Sequence, residues 1–183
     1  FDGLTVAEGS SLTNTLNDAY GTSQNGAWST DEGDLSTLEG DKLKLNTQGT
    51  DVTWTPNGGN DTSLITYVDA DVTFVGSDTA PTISETDVHT AVYLKNIVDD
   101  TTGDVTNRVL CAWATVGSDV GWVSLTGVQI TETESYGLRI MLDGNVLSFS
   151  IDGTVLTPTS FTKQDGTVIS VNSDERLFSA KEG

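Results

Sequence analysis

The sequence predicts an all-β chain folded as a two-sheet antiparallel β-sandwich. Three observations predict it. Apolar and polar residues alternate with period two along several stretches. Asp143-Gly144-Asn145 and Asp152-Gly153 separate such stretches as hairpin turns. Helix signals are sparse: Ser10 or Ser11 offers an N-cap for 10–20, but Thr13, Asn14 and Thr15 have little helix propensity, so the segment reads as a loop with one turn.

The elements follow in order. The first strand candidates are 42–47, with Leu43 and Leu45 in alternation, and 52–55. The stretch 64–75 alternates most clearly. Leu64, Val68, Ala70, Val72 and Phe74 form its expected core face, while Asp69, Asp71 and Thr73 face solvent or a groove. Strands over 89–98 and 108–116 flank the polar hairpin loop 99–104, and a second loop, 117–121, leads to a strand over 122–128. Strands over 136–142 and 146–151 are joined by Asp143-Gly144-Asn145, which should bury Leu138, Ile140, Leu147, Phe149 and Ile151 together. Further strands are expected over 155–159 and 168–171. Asp-Gly-x-Val recurs at 143, 152 and 165 with uneven spacing, which is turn chemistry rather than a solenoid repeat. No linker divides the chain, so one domain over 1–183 is expected, longer than an immunoglobulin-like sandwich of roughly 100 residues.

Composition narrows the function. The net charge is −19, from 8 basic and 27 acidic residues. Such a field repels a phosphate backbone and an anionic bilayer surface, so nucleic acid and membranes are poor partners. No stretch approaches the roughly 18 apolar residues of a membrane span. Cys111 is the single cysteine, so no internal disulfide forms. The chain opens with Phe1 and shows no signal peptide, which suggests an excised module with neighbouring domains in a larger extracellular protein. A disulfide-free extracellular domain points to a bacterial surface protein.

The run from Tyr136 to Leu156, YGLRIMLDGNVLSFSIDGTVL, is similar to the late strands of concanavalin A-like lectin/glucanase and laminin-G-like jelly rolls. There, too, a strand ending near an aspartate leads into an alternating strand and an Asp-Gly or Asn-Gly hairpin. Upstream pieces agree in order: Trp28 before an acidic loop, the Leu43/Leu45 strand, 64–75 and the Trp113 strand. The resemblance covers 27–157 and implies a jelly-roll fold, which hosts lectins, hydrolases, lyases and inert spacers alike.

No complete catalytic constellation is found. Retaining glucanases of this family carry glutamate-x-aspartate-x-x-glutamate, whose two close carboxylates serve double displacement. Glu85 and Asp87 match, but Thr90 stands at the last position. Alginate lyases of the family pair a histidine with tyrosine, glutamine and arginine. His89, Tyr136 and Arg139 supply three of these types without the family's surrounding motifs. Cys111, between Leu110 and Ala112, reads as a buried structural thiol. Asp31 with Asp34, and Asp99 with Asp104, are candidate ligands for a structural Ca²⁺, which takes six to eight oxygens.

Alternation points instead to a binding face. Trp113 has the opposite parity to Leu110, Ala112, Ala114 and Val116, and Arg139 leaves the Leu138/Ile140/Leu142 face in the same way. Met141, Ser148 and Ser150 share that outward parity. An exposed Trp113 indole stacks on a sugar and Arg139 forks onto an acidic sugar, with Asp69 and Asp71 nearby. The alternative for Trp113 is packing beneath a covering loop, and for Arg139 pairing with Asp69 or Asp71. The expected function is a non-catalytic extracellular adhesion module that recognises a carbohydrate or other cell-surface polymer. A structural spacer or self-assembling filament subunit is the alternative, and a polysaccharide lyase or glycoside hydrolase a further one.

Overall fold

A computed structural model describes residues 66–83 and 88–181, together with Asn14, Leu16 and the strand segments 26–30, 36–39, 42–45 and 52–56. Among the described residues only Asn14 and Leu16 are helical; the regular structure is otherwise all β. The chain divides into two compact units, 1–61 and 62–183.

In the first unit, β1 (Gly26–Thr30) pairs antiparallel with β4 (Val52–Pro56), aligning Trp28 with Trp54. Between them in sequence, β2 (Ser36–Glu39) and β3 (Lys42–Leu45) form a hairpin.

The second unit carries a sheet of 11 strands. They are β5 (Thr66–Val72), β6 (Gly76–Ser77), β7 (Val92–Val98), β8 (Val105–Val116), β9 (Asp119–Thr126), β10 (Tyr136–Asp143), β11 (Val146–Ile151), β12 (Thr154–Val155), β13 (Thr157–Lys163), β14 (Val168–Ser170) and β15 (Leu177–Phe178). Pairing is antiparallel except for the two-residue β6–β7 contact. The strand order is β14-β13-β9-β8-β15-β11-β10-β5, with β7 on β8 and β12 on β11. β15 joins two groups of strands: Leu177 and Phe178 pair with β11, and Phe178 also pairs with Thr115 of β8.

Both groups feed one core. Leu110, Ala112 and Ala114 of β8 and Val123 and Leu125 of β9 are buried with Leu138, Leu147, Phe149 and Ile151 of β10 and β11. Ile140 packs against them, partly buried. The cause is the predicted alternation: β10 and β11 pair with Leu138 opposite Ile151 and Ile140 opposite Phe149, so the apolar members share one face. Burying aliphatic and aromatic side chains at about 1.5–3 kcal/mol each makes this face the main source of stability.

One expected core face is corrected. Val72 and Phe74 pack against the core, but Val68 is 60% exposed and Ala70 is also exposed. β5 stands last in the strand order and pairs with β10 along its whole length. Alternation fixes the face a side chain takes, and burial also needs a layer packed over that part of the face.

Candidate functional site

The opposite face of β8 and β9 carries a second apolar cluster of Cys111, Trp113 and Trp122. Trp113 does leave the core face, as its parity requires. Of the two alternatives for its indole, exposure and packing beneath a cover, the structure shows the second: Trp113 is only 8% exposed. It lies edge-on to its cross-strand partner Trp122, with ring centres 5.3 Å apart, and Tyr93 lies edge-on to Trp122 at 4.6 Å. Ile83, Val88, Ala91 and Ala180 pack over the cluster. Thr90 Oγ1 donates to the Trp113 carbonyl at 2.8 Å, and the Trp113 amide donates to the Ala91 carbonyl at 2.8 Å. The cover is thus tied to the strand it hides. Burial pushes the Cys111 thiol above its ordinary pKa, consistent with a packing role.

The face that stays open lies on the outer side of β5, β10 and β11. Strand register arranges it in three rows. Tyr67, Met141 and Ser148 form one row, and Asp69, Arg139 and Ser150 the next. In the third, Asp71 sits opposite Gly137, with Asp152 on the other side of the glycine. A groove of about 650 Å³ runs across these rows, lined also by Gly153 and by Val155 of β12.

Arg139 is fixed at the centre. Its Nε donates to Asp69 Oδ1 at 2.6 Å and its Nη2 to Asp69 Oδ2 at 2.7 Å. The guanidinium carbon also stands 5.1 Å from the centre of the Tyr67 ring, within cation–π range. The hydrogen bond from Arg139 holds the Asp69 carboxyl below its ordinary range, and the same bond raises Arg139. Asp152, at φ +49°, turns its carboxylate back onto the Gly137 amide at 2.8 Å. A Cβ added at Gly137 would stand 3.3 Å from Asp152 Oδ1 and 4.0 Å from Asp71 Oδ1. The glycine therefore leaves a notch between two carboxylates. Three carboxylates against one guanidinium give the groove a net negative field.

The structure thus brings Asp69, Asp71 and Arg139 together on one face and puts Trp113 in a separate cluster. Gly137, Asp152 and Tyr67 were missed by sequence reasoning, although the hairpin register that sets Leu138 against Ile151 also places Asp152 beside Gly137. Asp31 and Asp34 lie outside the described residues, as do Glu85 and Asp87. Asp99 and Asp104 close the β7–β8 loop. Asp99 Oδ1 accepts from the Thr101 and Thr102 amides at 2.7 and 3.2 Å, which lowers its pKa. Among the described residues no group of three or more His, Cys, Asp or Glu is placed to hold a metal ion.

The three lyase-type residues do not converge. Tyr136 is buried on the inner face of β10, with its hydroxyl donating to Glu134 Oε2 at 3.1 Å, whereas Arg139 is on the outer face. His89 Nδ1 lies 2.8 Å from Ser179 Oγ, tying the cover to the residue after β15. No protein-family model, curated protein or solved structure matches the chain. The functional reading therefore rests on the chemistry of the open face.

Proposed function

We propose that the chain is a non-catalytic binding module of an extracellular or cell-surface bacterial protein, and that it takes a glycan or similar polyhydroxylated polymer on the outer face of β5, β10 and β11. The observation that carries this reading is the groove itself. Ser148, Ser150 and the Asp carboxylates line it alongside Met141 and Val155, with Tyr67 in the outermost row. Carboxylates and hydroxyls accept hydrogen bonds from sugar hydroxyls, while thioether, aliphatic and aromatic surfaces suit the C–H faces of a pyranose. The core shared by two strand groups supports a two-layer sandwich of the jelly-roll, concanavalin A-like type. Structural Ca²⁺ belongs to the proposal through the acidic clusters of the sequence.

A second reading, a spacer or self-assembling subunit, is favoured by the covered Trp113 cluster and by the terminal position of β5 among the described strands.

A glycan array probed with and without calcium tests the first reading. The wild-type protein should retain one class of glycan. Ser150→Trp, which fills the groove from the outer face, should reduce retention at least tenfold. Equal retention by both proteins, or none by the wild type, removes the reading.

A further inference from the structure

We propose that Asp69 sets the ligand class of this groove: by occupying the fork of Arg139, it excludes anionic ligands and leaves the face to uncharged polyols. The inference rests on the binding reading above for the existence of the site, but not for the behaviour of the ion pair.

Arg139 is the only cation lining the groove among the described residues. A uronate or other carboxylate ligand needs a planar two-donor edge; Asp69 takes the Nε–Nη2 edge, and the Nη1–Nη2 end that remains shares Nη2 with Asp69. Nε and Nη2 already end on the two oxygens of Asp69, at 2.6 and 2.7 Å. The partner is held in place by backbone pairing, because Asp69 and Arg139 are opposite residues of adjacent strands. The Tyr67 ring, 5.1 Å from the guanidinium carbon, adds a cation–π contact that favours this position. An incoming carboxylate would have to displace an intramolecular partner of the same chemistry, already in position. It would also meet Asp71 and Asp152, both lining the groove. A neutral polyol meets no such competition, since its hydroxyls donate to those same carboxylates.

The gate is removable by one atom exchange. Asp69→Asn keeps the size of the side chain but replaces one acceptor oxygen by an NH₂ donor. The amide offers one acceptor oxygen in place of two, so the two-oxygen pairing with Arg139 is lost, and the negative charge is gone. The fork then faces the groove.

The test is an NMR titration with two probes, a neutral xylo-oligosaccharide and an oligogalacturonate of equal length. It uses wild-type protein, Asp69→Asn, and Asp69→Asn combined with Arg139→Ala. Wild type should bind the oligogalacturonate at least tenfold more weakly than the neutral probe. Asp69→Asn should gain at least tenfold for the oligogalacturonate, and the double variant should lose that gain. Wild-type affinity for the oligogalacturonate equal to that for the neutral probe, or no gain in Asp69→Asn, overturns the gate. If wild type binds neither probe, the binding reading of the groove falls, and the gain or its absence in Asp69→Asn still decides the gate.

Discussion

Arg139 and Asp69 show how a single register position decides the chemistry of the open face. Arg139 depresses the Asp69 carboxyl below its ordinary pKa, first through its hydrogen bonds and then through its charge. A depressed carboxyl stabilises the fold above its unfolded pKa, about 3.9, and this contribution is lost as pH falls through the lower folded value. Following the Asp69 carboxyl carbon by NMR during acid titration should give a pKa below the ordinary one in wild type. Arg139→Ala should return it to the ordinary range; an unchanged value would show that the pair does not persist in solution. Trp113 belongs to the same scale. Its outward parity was legible, because Leu110, Ala112 and Ala114 define the core face by alternation. Exposure and burial both stayed open, because the covering residues Ile83, Val88, Ala91 and Ala180 carry no periodic signal pointing to β8 that would decide between them. Trp113→Ala removes a buried indole that packs on Trp122, so urea unfolding should show a loss of about 3–5 kcal/mol. A loss under about 1 kcal/mol would mean that the indole is exposed after all.

Strands and turns were the most legible level of the structure. The hairpin joining β10 to β11 lies where Asp143-Gly144-Asn145 places it, and the next turn contains Asp152-Gly153. Short elements were missed: β6 and β15 have two residues each, too few for alternation to register, and β15 is held by pairing with two strands remote in sequence. Val68 has the inward parity that alternation gives it, opposite Ile140, yet it stays 60% exposed, because parity sets the face and not how far the cover extends along it. Gly121 shows a constraint that only packing reveals. It stands in β9 opposite Lys163 of β13, where a Cβ would be driven into the Thr162 carbonyl oxygen and would lie 3.0 Å from two carbons of the Phe161 ring. Phe161 is fully buried and the carbonyl is backbone, so neither yields easily. Gly121→Ala should therefore destabilise the domain by about 1–3 kcal/mol through overpacking. The check is chemical denaturation with an unchanged m-value, and a neutral result would show that β9 and β13 are farther apart than described.

At the scale of the whole molecule, 27 acidic residues outnumber 8 basic ones. The −19 charge is compatible with the polyol and cation ligands proposed. Which face would receive them was not legible, since both outward-facing surfaces alternate in the same way. The difference lies in coverage: one face is closed over two tryptophans, and the other holds an open groove around a neutralised arginine. Backbone-amide chemical-shift mapping, with a neutral oligosaccharide retained on the array, tests whether the groove face takes a neutral glycan as proposed. Shifts should be confined to β5, β10, β11 and the turn after β11, centred on Asp69, Gly137, Arg139, Met141, Ser150 and Gly153. Shifts centred on Trp113 and Trp122, or no shifts at millimolar oligosaccharide, would contradict that proposal.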